Sequence, residues 1–164
     1  MIILISHRGN FDGPNPAKEN HPDYVDDAIC RGFDAEVDLW AMDYKLYLGH
    51  SEPKYLIDFE WLEDHHQRLW IHCQNIGALQ YMTTKRTKYW YFDEGWDMVT
   101  GELNFFWHQT DDYALTNCNY VWTFPGKELP IRGTGIAVMP EKAPGWDIRH
   151  AVGICSDFLL DKID

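Results

Sequence analysis

A chain of 164 residues, 45% hydrophobic and 15% aromatic, has enough apolar side chain to bury one core, so residues 1–164 are expected to form a single domain. Its formal net charge of -12, with 14 Lys and Arg against 26 Asp and Glu, argues against nucleic acid as a partner, because phosphate backbones are gripped by clustered cations. The four cysteines (Cys30, Cys73, Cys118, Cys155) form no CxxC pair and the opening apolar run has no basic flank, so reduced thiols, a cytoplasmic location and no stable membrane anchor are the expectations.

The first element is an apolar run, Ile2 to Ser6, that reads as a buried strand and delivers His7 and Arg8 to its C-terminal end. The Gly and Pro residues between Phe11 and Lys18 predict a loop. A short helix follows, with Asn20 as its cap, Pro22 in the first turn and Gly32 as its stop. Phe33 to Trp40 then alternates with a period of two: Ala35, Val37 and Leu39 share one face, and Glu36, Asp38 and Trp40 the other. A second extended piece, Lys45 to Gly49, leads into His50.

Further along, helices are predicted over Asp58–His66 and Gly77–Thr84, with short helices at Thr110–Asn117 and Trp146–Ala151. Strands are predicted over Arg68–Cys73, Lys88–Phe92, Leu103–His108, Tyr120–Phe124, Gly135–Met139 and Gly153–Ser156. With the opening strand and the strand bearing Glu36 this makes eight, alternating with helix-sized connections. That is the pattern of parallel βαβ units, and the expectation is a compact, stripped-down (β/α)8 TIM barrel with several short or missing helices. Such a barrel gathers strand ends at one mouth.

His7, Arg8, Glu36, Asp38 and His50 would meet there. Carboxylates hold a hard divalent cation, arginine binds a phosphate in two-pronged fashion, and imidazoles near neutral pKa move protons. Most tryptophans near strands are expected to fill the core; some line the mouth, and Trp122 is assigned there to the substrate.

Four stretches carry a likeness: HRGN at 7–10, KEN at 18–20, AEVDLW at 35–40 and LYLGH at 46–50. The chain resembles in them the glycerophosphodiester phosphodiesterase family, within the wider phosphatidylinositol phospholipase C-like barrels. GICSDF at 153–158 resembles the last strand of that family more loosely. The resemblance implies a metal-dependent phosphodiesterase acting on a small-molecule phosphodiester, with His7 and His50 as the acid/base pair and Arg8 on the phosphate. Glu36 and Asp38 would hold Mg²⁺ or Ca²⁺, and Glu19 would stand near the metal or orient Arg8.

On the third strand the family commonly has an acid and a lysine at alternate positions, whereas this chain has His72 and Gln74. His72 joins the expected metal ligands, which brings Mn²⁺ or Zn²⁺ into range, and Gln74 joins the expected substrate contacts. Asp93 is a further candidate carboxylate. The competing expectation is a catalytically silent barrel that binds a phosphorylated ligand or partner.

Overall fold

The computed structural model describes residues 2–88, 103–107, 112–131 and 133–160. Among the described residues ten strands form one mixed sheet curled into an open half-barrel with three helices, so the (β/α)8 expectation is overturned.

The left half holds β1 (Ile3–His7), α1 (Pro22–Cys30), β2 (Asp34–Met42), β3 (Lys45–Leu48), β4 (Tyr55–Ile57), α2 (Phe59–Asp64), β5 (Leu69–Cys73) and α3 (Ile76–Lys88). The right half holds β6 (Asn104–Phe106), β7 (Tyr113–Leu115), β8 (Val121–Thr123), β9 (Gly135–Val138) and β10 (Gly153–Ser156), with a 3-10 turn at Pro140–Lys142.

Seven strands run parallel in the order β6, β5, β2, β1, β10, β9, β8. Three antiparallel strands depart from a barrel. β3 folds back on the C-terminal end of β2 and β4 folds back on β3, while β7 pairs with β8. The turn from β2 to β3 places Asp43 and Tyr44 at φ 51° and 60°, the two left-handed residues of a tight hairpin whose twist matches its strands. Asn117, just past β7, is hydrogen-bonded to Phe105 of β6. Its side-chain oxygen accepts from Phe105 N–H at 2.7 Å and its own N–H reaches Phe105 O at 3.0 Å.

Several sequence expectations move. The cap of α1 is His21 rather than Asn20. β7 stands within the segment expected to be the helix Thr110–Asn117, and Trp146–Ala151 contains no helix. The strand expected at Lys88–Phe92 lies outside the described residues from residue 89 on, and β5 pairs directly with β6. No helix among the described residues is long and apolar enough to cross a membrane.

The alternation in β2 divides the core. Ala35, Val37 and Leu39 point outward and pack with Val25, Leu62, Ile71, Ala78 and Met82 under the helices. The inner face is floored by Ile5, Trp70, Phe106, Trp122, Ile136, Val138 and Cys155. Burial on both faces is usual for parallel strands, and here it forces the inward acids of β2 into a dry setting. Glu36 is 3% exposed and Asp38 is fully buried.

Candidate functional site

The site grows from the C-terminal ends of β1, β2, β5 and β10. After β1 the backbone takes two left-handed steps, at Arg8 (φ 57°) and Gly9 (φ 88°). A non-glycine residue there carries a strain of roughly 1–2 kcal/mol, offset here by the contacts of Arg8. A side chain at Gly9 would lie 2.9 Å from the Tyr24 ring and 3.2 Å from its carbonyl oxygen, so the turn packs against α1 only with glycine. Arg8 N–H extends the ladder to the Glu36 carbonyl (3.0 Å) and also reaches Glu36 Oε2 at 3.2 Å.

His50 is launched by a second constrained turn. Gly49 has φ 151°, and a Cβ there would sit 2.2 Å from the Glu52 carbonyl oxygen. The indole of Trp40 donates to Gly49 O at 2.6 Å and Gly49 N–H donates to Asp38 O at 3.0 Å, tying the turn to the strand that carries the acids.

Arg8 and Asp38 form the centre. Arg8 Nε stands 2.9 Å from Asp38 Oδ2, an ion pair whose angle falls short of a hydrogen bond. Nη1 donates to Glu19 Oε2 at 3.2 Å and Nη2 to His50 Nδ1 at 2.8 Å. Asn20 grips Asp38 from the other side: Nδ2 donates to Oδ2 at 2.9 Å, and Oδ1 accepts the Asp38 N–H at 2.8 Å. His72 Nδ1 lies 3.1 Å from Asp38 Oδ1, and the Gln74 amide touches that same oxygen.

The two acids respond oppositely to one environment. Burial, and after it the charge of Asp38, push Glu36 well above the usual carboxylate range. Burial also pulls Asp38 upward, but the His50 and His72 imidazoles and the Arg8 guanidinium beside it outweigh that and hold Asp38 well below. The guanidinium is held above its ordinary value, since Asp38, Glu36 and Glu19 together outweigh its desolvation.

Sequence reasoning missed Asp157 and Asn10. Asp157 Oδ1 meets His7 Nδ1 at 2.8 Å and accepts from Asn10 Nδ2 at 2.8 Å, and Asn10 Nδ2 also reaches Glu19 Oε1 at 3.0 Å. Although burial works the other way, His7 and Asn10 hold Asp157 below its ordinary value. The signal was present in GICSDF: β10 runs beside β1 with Ser156 opposite Ser6, so the next residue on each strand must be neighbours.

The structure thus brings together His7, Arg8, Glu19, Glu36, Asp38, His50, His72 and Gln74. Glu36, Asp38 and His72 each offer a ligand atom, all within 4.8 Å of one another, and could hold a metal ion. Glu19, an expected ligand, is not in that group; it holds Arg8 and Asn10 instead. Trp122, expected at the substrate, is 3% exposed and packed in the floor against Phe106 and Trp70. Asp93 lies outside the described residues. Comparison of the chain with family models, curated proteins and solved structures returns no match.

Proposed function

We propose that this site hydrolyses a small phosphodiester with the help of one divalent cation. The observation that carries the reading is the opposite preparation of two histidines on either side of Arg8. Asp157 is a carboxylate and can only accept, so His7 Nδ1 bears the proton and Nε2 is left as a base. Arg8 can only donate, so His50 Nδ1 accepts and its proton sits on Nε2.

Arg8 is the cation to which a phosphate would be drawn. When its Nη2 turns to the substrate, His50 Nδ1 is released beside Asp38 Oδ2, 3.5 Å away, a carboxylate that stabilises an imidazolium. His50 Nδ1 then takes a proton from solvent, and the Nε2–H of the imidazolium is the acid for the leaving alcohol, while His7 Nε2 takes the proton of the attacking hydroxyl or water. Glu19, Asn10 and Asn20 keep these groups aimed. Glu36, Asp38 and His72 fit a cation by donor chemistry, two buried carboxylates and an imidazole. When bound it would neutralise charge on the phosphate. The resemblance of HRGN, KEN, AEVDLW and LYLGH to glycerophosphodiester phosphodiesterases supports the same reading.

Glycerophosphodiesters and bis(p-nitrophenyl) phosphate, with and without chelator, test it. Hydrolysis that stops with chelator and returns with added metal is expected. Activity indifferent to chelator sinks the metal-dependent reading; metal binding without turnover of any diester favours a silent phosphate-binding site instead.

A further inference from the structure

The top of β2 and β5 contains a crowded polar triangle. His72 Nδ1 lies 3.1 Å from Asp38 Oδ1 and 3.0 Å from the Gln74 amide nitrogen, and that nitrogen also touches Asp38 Oδ1. If Nδ1 carries a proton it serves Asp38 but confronts the N–H groups of Gln74. If it does not, Gln74 serves both neighbours and two lone pairs face each other across the 3.1 Å edge. Turning the amide over sets its oxygen against the carboxylate. With Nδ1 protonated both donors crowd onto one Asp38 oxygen, and each other arrangement sets two lone pairs against one another.

A cation removes that conflict, because lone pairs that repel one another become ligands of one ion. Bonds of about 2.1 Å at right angles put neighbouring ligand atoms about 3.0 Å apart and opposite ones about 4.2 Å apart. The two His72 edges match the neighbouring separation. Glu36 supplies an independent sign: its Oε2 accepts from Arg8 N–H, while among the described residues Oε1 accepts no hydrogen bond and points to His72 Nδ1 at 4.0 Å, near the opposite separation. Glu36 is 3% exposed, so this oxygen is a buried ligand atom that faces the same spot as His72 and Asp38.

We propose that Gln74 turns its amide so that Oε1 becomes the fourth protein ligand, beside Glu36 Oε1, Asp38 Oδ1 and His72 Nδ1, of a first-row transition ion such as Mn²⁺. This rests on the reading of Glu36, Asp38 and His72 as metal ligands and reassigns Gln74 from the substrate to the metal. Three oxygens and one imidazole nitrogen suit such an ion better than Ca²⁺, which takes six to eight oxygens. The Asp38–Gln74 contact widens as the ion enters.

The test is Mn²⁺ titration of the chelator-treated full chain, with free Mn²⁺ read by electron paramagnetic resonance, for the wild type, Gln74→Ala and Gln74→Glu; thermal unfolding reports whether each is folded. Gln74→Ala is expected to weaken Mn²⁺ at least tenfold, Gln74→Glu to bind as tightly as wild type or tighter, and Ca²⁺ to bind at least tenfold more weakly than Mn²⁺. Should Gln74→Ala fail to fold, the glutamate variant decides, since a carboxylate keeps a ligand but removes a hydrogen-bond donor to Asp38.

Unchanged affinity in Gln74→Ala, weakened affinity in Gln74→Glu, or equal affinity for Ca²⁺ overturns the proposal while leaving a metal site in place. A wild type that takes up no Mn²⁺ overturns the proposal and the metal-dependent reading together. The expected binding pattern with no turnover on the diesters supports the ligand set and removes the phosphodiesterase reading alone.

Discussion

The two halves of the curled sheet use one strand geometry for opposite purposes. On β1, β2 and β5 the inward positions near the strand ends are His7, Glu36, Asp38 and His72; on β6, β8 and β9 they are Phe106, Trp122, Ile136 and Val138. The halves touch where the His72 ring stacks on Phe106, 5.0 Å between centroids and 6° from parallel. Side chains on the second half bury apolar area and stabilise; the first half places charges in a dry cleft, where each is tolerated only through its partners. The apolar half therefore acts as the floor for the polar inward face of the first half, whose outward face is packed under the helices.

Losing a partner should break the polar half most severely. Asp38→Ala leaves the half-buried Arg8 without its central anion and is expected to cost about 3–5 kcal/mol in urea unfolding, together with metal binding. In the apolar half Trp122→Ala should destabilise by a similar 3–5 kcal/mol through an unfilled cavity. Its remaining folded fraction should bind Mn²⁺ with wild-type affinity, which separates floor from site. A Trp122→Ala protein that folds well but loses diester affinity would instead return that indole to the substrate.

Smaller effects sharpen the contrast between the two acids. Glu36 is raised by burial, so its ionisation opposes folding: stability falls as pH rises from its unfolded value through its folded one. Glu36→Gln should accordingly unfold at a higher temperature than wild type at alkaline pH, with little difference in acid, and it should lose metal. For the same reason metal must displace the Glu36 proton, and Mn²⁺ affinity in the wild type should climb with pH until that group is ionised; a flat profile would show that Glu36 is no ligand. Asp157 has the reverse sign. Held below its unfolded value, it contributes stability at neutral pH that is lost as pH falls, and Asp157→Asn should flatten that part of the acid limb.

Much of the polar half was legible because it is local. The period of two in AEVDLW puts Glu36 and Asp38 on one face whatever the fold, and the glycines after His7 and before His50 mark the sharp turns that aim them. Asp157 was not legible in that way: its partner is 150 residues away, and only the pairing of β10 with β1 joins them. The barrel misread the connections for a similar reason. Asp43-Tyr44 makes a left-handed hairpin turn without the glycine that usually announces one, so β3 read as a lone extended piece. Near Asn119 (φ 67°) a turn from β7 to β8 replaces a helix that spacing alone allowed. Trp122 shows a further limit, since alternation tells which way a side chain points but not how deep in the cleft it stands.

The most direct test of the acid/base division compares two leaving groups in two variants. An alkyl diester needs a proton on its departing oxygen, whereas p-nitrophenolate leaves without one. His50→Ala is expected to slow hydrolysis of a glycerophosphodiester by about 10²–10⁴-fold while leaving bis(p-nitrophenyl) phosphate far less affected; His7→Ala should slow both. Equal losses on the two substrates in His50→Ala, or full activity in His7→Ala, would contradict the assignment.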